Sequence, residues 1–406
     1  MFPITKRPSV ILALTIALVV MVGCATSPRG KPAASVPLPA PVAPLPPSPL
    51  TAKPADYLRV ASFSELPGWA DDDVRQSWPA MQASCEALSK RPDWSAVCSA
   101  MASVNAVDER SVRAFYESQF IPHQLRNLDG SVQGMVTGYY EPLLKGSRTR
   151  SGPFQTALYR TPEDLLTIDL GALYPELKNM RLRGRLTANK IVPYPSRAEL
   201  MQQNLLAGKE LLWVDDPVEA FFLQVQGSGR VLIESTRETV RVAYADQNGH
   251  PYRSIGRYLV DKGELTLDQA SMQGIKAWVA ANPARRQELL NANPSFVFFR
   301  EEKITDPAKG PKGALGVPLT AQRSIAVDPQ FVSLGAPVFL STTQPNAAQP
   351  LRRLMLAQDT GGAIRNPVRA DLFWGFGAEA GELAGRMKQS GQMWVLLPRT
   401  LALQPN

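Results

Sequence analysis

Residues 354–377 read LMLAQDTGGAIRNPVRADLFWGFG. Leu354, Met355 and Leu356 form a short apolar run suited to a buried strand. Asp359-Thr360-Gly361-Gly362 then breaks it, and the paired glycines let backbone approach a ligand or another strand because neither carries a Cβ. Asp371 stands twelve residues after Asp359, ahead of a second apolar run, Leu372-Phe373-Trp374. Two carboxylates on one strand-loop-strand unit, beside aromatics that suit sugar rings, point to acid chemistry on a saccharide. The same residues also read more plainly, with Asp359 capping a turn and Asp371 as an exposed loop charge.

Many short strands surround this unit. Apolar runs at 296–299, 324–327, 338–340 and 393–396, punctuated by Gly and Pro turns, predict a small barrel, with a helix over 379–389 before the last strand. Upstream, residues 73–101 and 111–120 carry helical spacings, and 132–142 reads as a strand running into Thr137-Gly138-Tyr139-Tyr140-Glu141-Pro142. Tyrosines there suit either a core or a sugar platform. Residues 145–293 look like a separate unit. Ser196 and Glu199 form a capping box that opens a helix, and strands are expected at 211–214, 231–234 and 240–244. Between them Gln224 and Gln226 alternate with apolar residues as on a strand face. Gly227 and Gly229 flank Ser228, leaving amides and a hydroxyl available to sugar groups or to a polar hairpin. Helices are expected at 254–262 and 267–281.

The 406-residue chain is 44% hydrophobic and 20% charged, enough for two or three domains. Its net charge of +8 is scattered rather than blocked, which argues against a nucleic-acid-binding tail and suits a polyanionic partner or a membrane surface. Two histidines, His123 and His250, and three cysteines make a His/Cys metal site improbable, and no G-x-S-x-G accompanies a Ser-His-Asp triad. No cofactor is called for.

Residues 1–23 form a signal peptide, with Lys6 and Arg7 ahead of an apolar stretch too short to span a bilayer. Met21-Val22-Gly23-Cys24 resembles a bacterial lipobox, which implies cleavage before Cys24 and acylation of it. Several acyl chains give stable anchoring where one does not, and Ala25 by analogy favours the outer membrane. Residues 24–56 are a tether with ten prolines between 26 and 54. In polyproline II form it reaches on the order of 80 Å from the bilayer. With Cys24 acylated, Cys85 and Cys98 remain, and an even count in an oxidising compartment predicts that they pair.

Taken in order, Thr137-Gly138-Tyr139-Tyr140-Glu141-Pro142, Gln226-Gly227-Ser228-Gly229, residues 293–299 (NPSFVFF), residues 323–328 (RSIAVD), Asp359-Thr360-Gly361-Gly362-Ala363-Ile364 and Asp371 resemble the membrane-bound lytic murein transglycosylase A family. The resemblance covers nearly all of the chain after the tether. It implies a mainly β fold with α: a double-psi β-barrel domain interrupted by an inserted second β-rich domain, with a groove between them. Residues 57–142 and 301–406 would build the barrel domain and 143–300 the insert. It implies cleavage of the β-1,4 bond between N-acetylmuramic acid and N-acetylglucosamine without water, giving a 1,6-anhydro end. Asp371 would be the catalytic acid and then base, with Asp359 in support. Thr137, Tyr139, Tyr140, Glu141, Gln224, Gln226 and Ser228 would contact peptidoglycan glycan strands. The protein would be a monomer held by lipid on the periplasmic side of the outer membrane. Two other readings stand beside this one. Asp359-Thr360-Gly361 is the tripeptide of aspartic proteases, although those need two such loops sharing a proton. A non-catalytic wall-binding lipoprotein is the third.

Overall fold

The structure, a computed structural model, describes residues 53–401 apart from 175, 176, 178, 179 and 346. Cys24 and the signal peptide lie outside the described residues, as does all but the end of the tether.

Among the described residues, seventeen strands form three sheets. The first takes β1 (Leu58–Val60), β2 (Phe120–Leu125) and β3 (Gly134–Glu141) from the front of the chain. The next nine are β4 (Leu143–Ser147), β5 (Thr156–Tyr159), β6 (Leu166–Thr167), β7 (Arg183–Thr187), β8 (Lys190–Pro193), β9 (Glu210–Val214), β10 (Ser228–Ile233), β11 (Thr239–Gln247) and β12 (Val297–Glu302). None of these nine joins the first sheet. The chain returns to it with β13 (Ser324–Ala326), β14 (Pro337–Thr343), β15 (Pro350–Asp359), β16 (Arg369–Phe376) and β17 (Lys388–Pro398).

Pairing in the first sheet closes on itself. The order β17-β14-β15-β13-β16-β3 returns to β17, because β17 is long enough to pair with β3 at one end and with β14 and β2 along the rest. Such closure removes the unpaired edges that an open sheet would leave. The ring strands are almost continuously apolar: Val338, Phe339 and Leu340, then 354–357, then 372–374, then 393–397, all buried. Strands read this way when both faces are covered. One outer cover is the helical front segment. Trp78, Met81 and Leu88 of the helix Trp78–Leu88 and Phe115 and Tyr116 of the helix Glu109–Gln119 share one core with the ring. A buried pair fastens this segment: Arg323 donates two 2.8 Å bonds to Asp72, whose Oδ2 also accepts from Leu354 N–H at 2.7 Å. A second cover is the helix Gly377–Arg386, which lies so close to β3 that a Cβ on Gly138 would meet Trp374 Nε1 at 2.6 Å and Ala384 Cα at 2.9 Å.

Cys85 and Cys98 are joined by a disulfide across the turn between the helices Trp78–Leu88 and Pro92–Ala100. Closing so short a loop restrains the unfolded chain by about 2–3 kcal/mol. Denaturant unfolding of the Cys85→Ser/Cys98→Ser double variant is expected to show a loss of that size, and a loss below about 0.5 kcal/mol would contradict it.

The second sheet runs β12-β11-β10-β4-β9-β5, around a core of its own that includes Leu144, Leu212, Val231, Val242 and Phe299. The third is the small arm β6-β7-β8. One sequence expectation fails here. Residues 221–226 are not strand; they belong to the helix Pro217–Gln226. Asp216 caps its start through Val218 and Glu219 N–H, Pro217 opens it, and Gly227 ends it at φ 84°. A left-handed cap of this kind favours glycine.

Candidate active site

A cavity of about 840 Å³ opens between the ring and the second sheet. The ring contributes Tyr139, Ala326, Asp359, Ile364, Arg369 and Asp371 to its wall, and the second sheet and its helix contribute Gln224, Gln226, Ser228 and Tyr244.

Strand register brings the ring residues to one level. Asp371 on β16 lies opposite Thr137 on β3 and opposite Ala326 on β13, and Ala326 lies opposite Asp359 on β15. The two aspartates therefore sit two strand spacings apart, roughly 10 Å between backbones. Gln358 and Asp359 turn to different sides of β15. The buried side chain of Gln358 points to the helical cover, accepting from Ser324 and donating to Ala80 O and Ser84. Asp359 follows it across an irregular step in the β13–β15 register and lines the cavity instead.

The two carboxyls are bonded unequally. Asp359 accepts three hydrogen bonds: Ala314 N–H and Thr360 N–H at 2.9 Å on Oδ1, and Tyr139 O–H at 2.9 Å on Oδ2. Asp371 accepts one, from the Thr137 hydroxyl at 2.5 Å on Oδ1. Among the described residues nothing bonds Asp371 Oδ2, and neither carboxyl bonds the other. Burial pushes both acids above the usual carboxylate range. For Asp371 the Thr137 bond and the Arg369 charge oppose that rise, while the charge of Asp359 adds to it. For Asp359 the two amides and the Tyr139 hydroxyl oppose it. Tyr139, buried against both acids, is held well above its ordinary value, so its hydroxyl stays a donor.

Residues 135–300 match the family model described as the MltA specific insert domain, and residues 323–397 match the 3D domain. Over 296 residues the chain is 34% identical to the membrane-bound lytic murein transglycosylase A of Escherichia coli K12, an alignment that covers 71% of this chain and 72% of that protein. The chain belongs to the lytic murein transglycosylase A family. It is an enzyme of the lytic transglycosylase class. Its fold is similar to that of the lytic transglycosylase LtgG of Burkholderia pseudomallei, at 49% identity and TM-score 0.56, covering 84% of this chain and 95% of that one. It is also similar to Escherichia coli MltA solved with bound chitohexaose, at 29% identity and TM-score 0.62, covering 80% and 91%.

Several residues expected at the sugar face of this transglycosylase sit elsewhere. Glu141 is fully buried between Arg230 and Arg241 and has no surface to offer a glycan. Tyr140 is buried in the ring core, where Gly381 packs on its ring. Phe373 and Trp374 are core residues rather than sugar platforms, because the ring interior covers one face of β16 and the helix Gly377–Arg386 the other. Thr137 reaches Asp371 instead of the cavity wall. Gln224, Gln226 and Ser228 do line the cavity, from a helix end and a strand start rather than one strand. Gln226 Oε1 accepts from Tyr140 N–H at 3.0 Å, and Gln224 Oε1 accepts from Arg197 at 2.7 Å and from Val297 N–H at 3.2 Å. Each amide oxygen is thus engaged, while neither NH2 group has a hydrogen-bond partner among the described residues. The Gly362 position is open, with nothing within 4 Å of where a Cβ would lie, as a wall that admits a ligand requires.

Sequence reading missed Arg369 and the Ala314 amide. Arg369 stands two residues before Asp371 on one strand, so the two share a face, and that spacing was a legible signal. The Ala314 amide arrives on irregular backbone with no pattern to mark it. No cluster of His, Cys, Asp or Glu among the described residues could hold a metal ion.

Proposed function

We propose that this enzyme cleaves the β-1,4 bond between N-acetylmuramic acid and N-acetylglucosamine in peptidoglycan without adding water. Asp371 is the acid and then the base. It gives its proton to the glycosidic oxygen as the C1–O bond breaks. The muramic C6 hydroxyl attacks C1, its proton passes to the Asp371 carboxylate, and the new C6–O–C1 bond closes the 1,6-anhydro ring. One carboxyl group suffices because the nucleophile is intramolecular and so has a high effective concentration. A glycosidase that uses water usually needs two.

The unequal bonding of the two aspartates carries this reading. A carboxyl that accepts three donors is favoured in its charged form, whereas one with a free oxygen in a desolvated wall can hold a proton. Asp359 fits the first description and Asp371 the second. Chitohexaose bound to the Escherichia coli relative supports a glycan in the cavity of this chain.

The ring of six strands is read as a double-psi barrel, and residues 143–300 as the domain inserted into it. Acylated Cys24 and the proline-rich tether would hold the enzyme, as a monomer, on the periplasmic side of the outer membrane within reach of the wall. Mass spectrometry of a digest of purified murein tests the chemistry. The muramic ends are expected to be one water lighter than hydrolysis products and to lack a reducing group; reducing ends would replace this reading with plain hydrolysis.

A further inference from the structure

We propose that Arg369 and Thr137 are positioning residues that confine the working proton of Asp371 to Oδ2. The argument follows the direction of two hydrogen bonds. Arg369 Nη2 lies 2.8 Å from Thr137 Oγ1, and Thr137 Oγ1 lies 2.5 Å from Asp371 Oδ1. A guanidinium only donates, so the first bond uses Thr137 as acceptor. A threonine hydroxyl has one proton. One of its two lone pairs faces Arg369, and among the described residues Asp371 Oδ1 is the one acceptor it meets, so Thr137 turns that proton onto Asp371 Oδ1. Oδ1 is therefore an acceptor in both protonation states of Asp371, and the carboxyl proton has one place left, on Oδ2. Asp371 lines the cavity, and no described residue bonds Oδ2, so the oxygen left for the proton is the one left for the substrate.

Arg369 is itself held in place. It is buried, and it donates to Met135 O and Ala370 O as well as to Thr137. Register fixes the other two members, since Asp371 and Thr137 face each other across the parallel β16–β3 pair and Arg369 faces Met135 two residues earlier. The sequence of charge follows from this arrangement. When Asp371 releases its proton, the new carboxylate already accepts a bond backed by a fixed cation, with no reorganisation needed at that moment. Without the relay the hydroxyl can rotate, the proton can occupy either oxygen, and half of the protonated population points away from the leaving group.

Other charges face Asp371 from the neighbouring elements. Asp359 on β15 raises its affinity for a proton, Tyr139 on β3 stays neutral, and Arg181 and Lys312 contribute positive charge at the cavity wall. All of these remain in the variants below, so a change in titration reports the relay.

This inference rests on Asp371 as the acid and base, and the test separates the two. Thr137→Val, Thr137→Ser and Asp371→Asn are compared for turnover of purified murein across pH, and the Asp371 carboxyl is titrated directly by carbon NMR in protein labelled at the aspartate carboxyl carbon. Thr137→Val is expected to lower kcat roughly 10- to 100-fold, the scale of misplacing a reacting group by about 1 Å. It should also move the Asp371 titration, and with it the alkaline limb of kcat/KM, to higher pH, because a bond to the charged form has gone. Thr137→Ser keeps the hydroxyl and should restore both. Full activity in Asp371→Asn would remove the acid–base reading itself. With Asp371→Asn inactive, an unmoved Asp371 titration in Thr137→Val, or a Thr137→Ser as slow as Thr137→Val, overturns the relay.

Discussion

Asp371→Asn is expected to abolish measurable turnover of murein while leaving the protein folded and able to bind glycan. Asparagine has nearly the same shape and can still accept the Thr137 bond, but it can neither give a proton to the leaving oxygen nor take one back. General acid–base catalysis contributes roughly 10²–10⁴-fold, and here both transfers pass through one group. Asp359→Asn should fall between this variant and the parent. Its carbonyl can keep the Ala314 and Thr360 amides, and the Tyr139 hydroxyl can reverse to accept from the new NH2. An inactive Asp359→Asn beside an active Asp371→Asn would reverse the assignment.

The same variants carry a stability signature with a definite sign. Burial raises the folded pKa of both aspartates. A group whose folded pKa lies above its unfolded value binds more protons when folded, so its favourable contribution is present at low pH and lost as pH rises through the folded value. At neutral pH each carboxylate therefore costs stability. Asp371→Asn should be at least as stable as the parent near pH 7, and that advantage should shrink as pH falls through the raised folded value and be gone below about 4, the unfolded aspartate value. Chemical unfolding at the two pH values measures it. A variant less stable at pH 7 than at pH 4, relative to the parent, would show that the carboxylate is not desolvated. Active sites often trade stability for chemistry in this direction.

The residues that sequence reading placed well were those whose signal is local. The apolar runs of the ring, the capping box at Ser196 and the strand-breaking Asp359-Thr360-Gly361-Gly362 each follow from chemistry within a few neighbours. The helix Pro217–Gln226 was misread because Gln224 and Gln226 alternate with apolar residues, a period-2 pattern only a few residues long. Asp216-Pro217 and Gly227, the start and stop signals around it, outweigh so short an alternation. Contacts between strands were another matter. Thr137 and Asp371 are 234 residues apart, and only the register of β3 against β16 brings them together. Whether Tyr139 is a platform or a donor to Asp359 likewise depends on a strand 220 residues away. Glu141 follows the same rule, since nothing near it in sequence announces that Arg230 and Arg241 will enclose it.

Glu141→Gln should accordingly destabilise the protein more than any other single change considered for this site. Glu141 ends β3 just where the chain passes from the ring to the second sheet, and its carboxylate accepts from Arg230 on β10 at 2.9 Å and from Arg241 on β11. All three side chains are buried. The arginines also hold the returning chain, Arg230 through Pro307 O and Arg241 through Lys309 O, both at 2.8 Å. That returning segment then delivers the Ala314 amide to Asp359. Neutralising the carboxylate leaves two buried cations facing each other without a counter-charge, and breaking a buried pair in this way costs about 3–5 kcal/mol. Activity should fall with it, because the support of Asp359 depends on the same segment. The penalty comes from unmatched charge rather than from the pair's net worth, so Glu141→Leu/Arg230→Met/Arg241→Met should recover much of the stability that Glu141→Gln loses. Urea unfolding of the parent and both variants makes the comparison. A Glu141→Gln protein with parent-like stability and a raised KM for murein would return Glu141 to the role of a sugar contact.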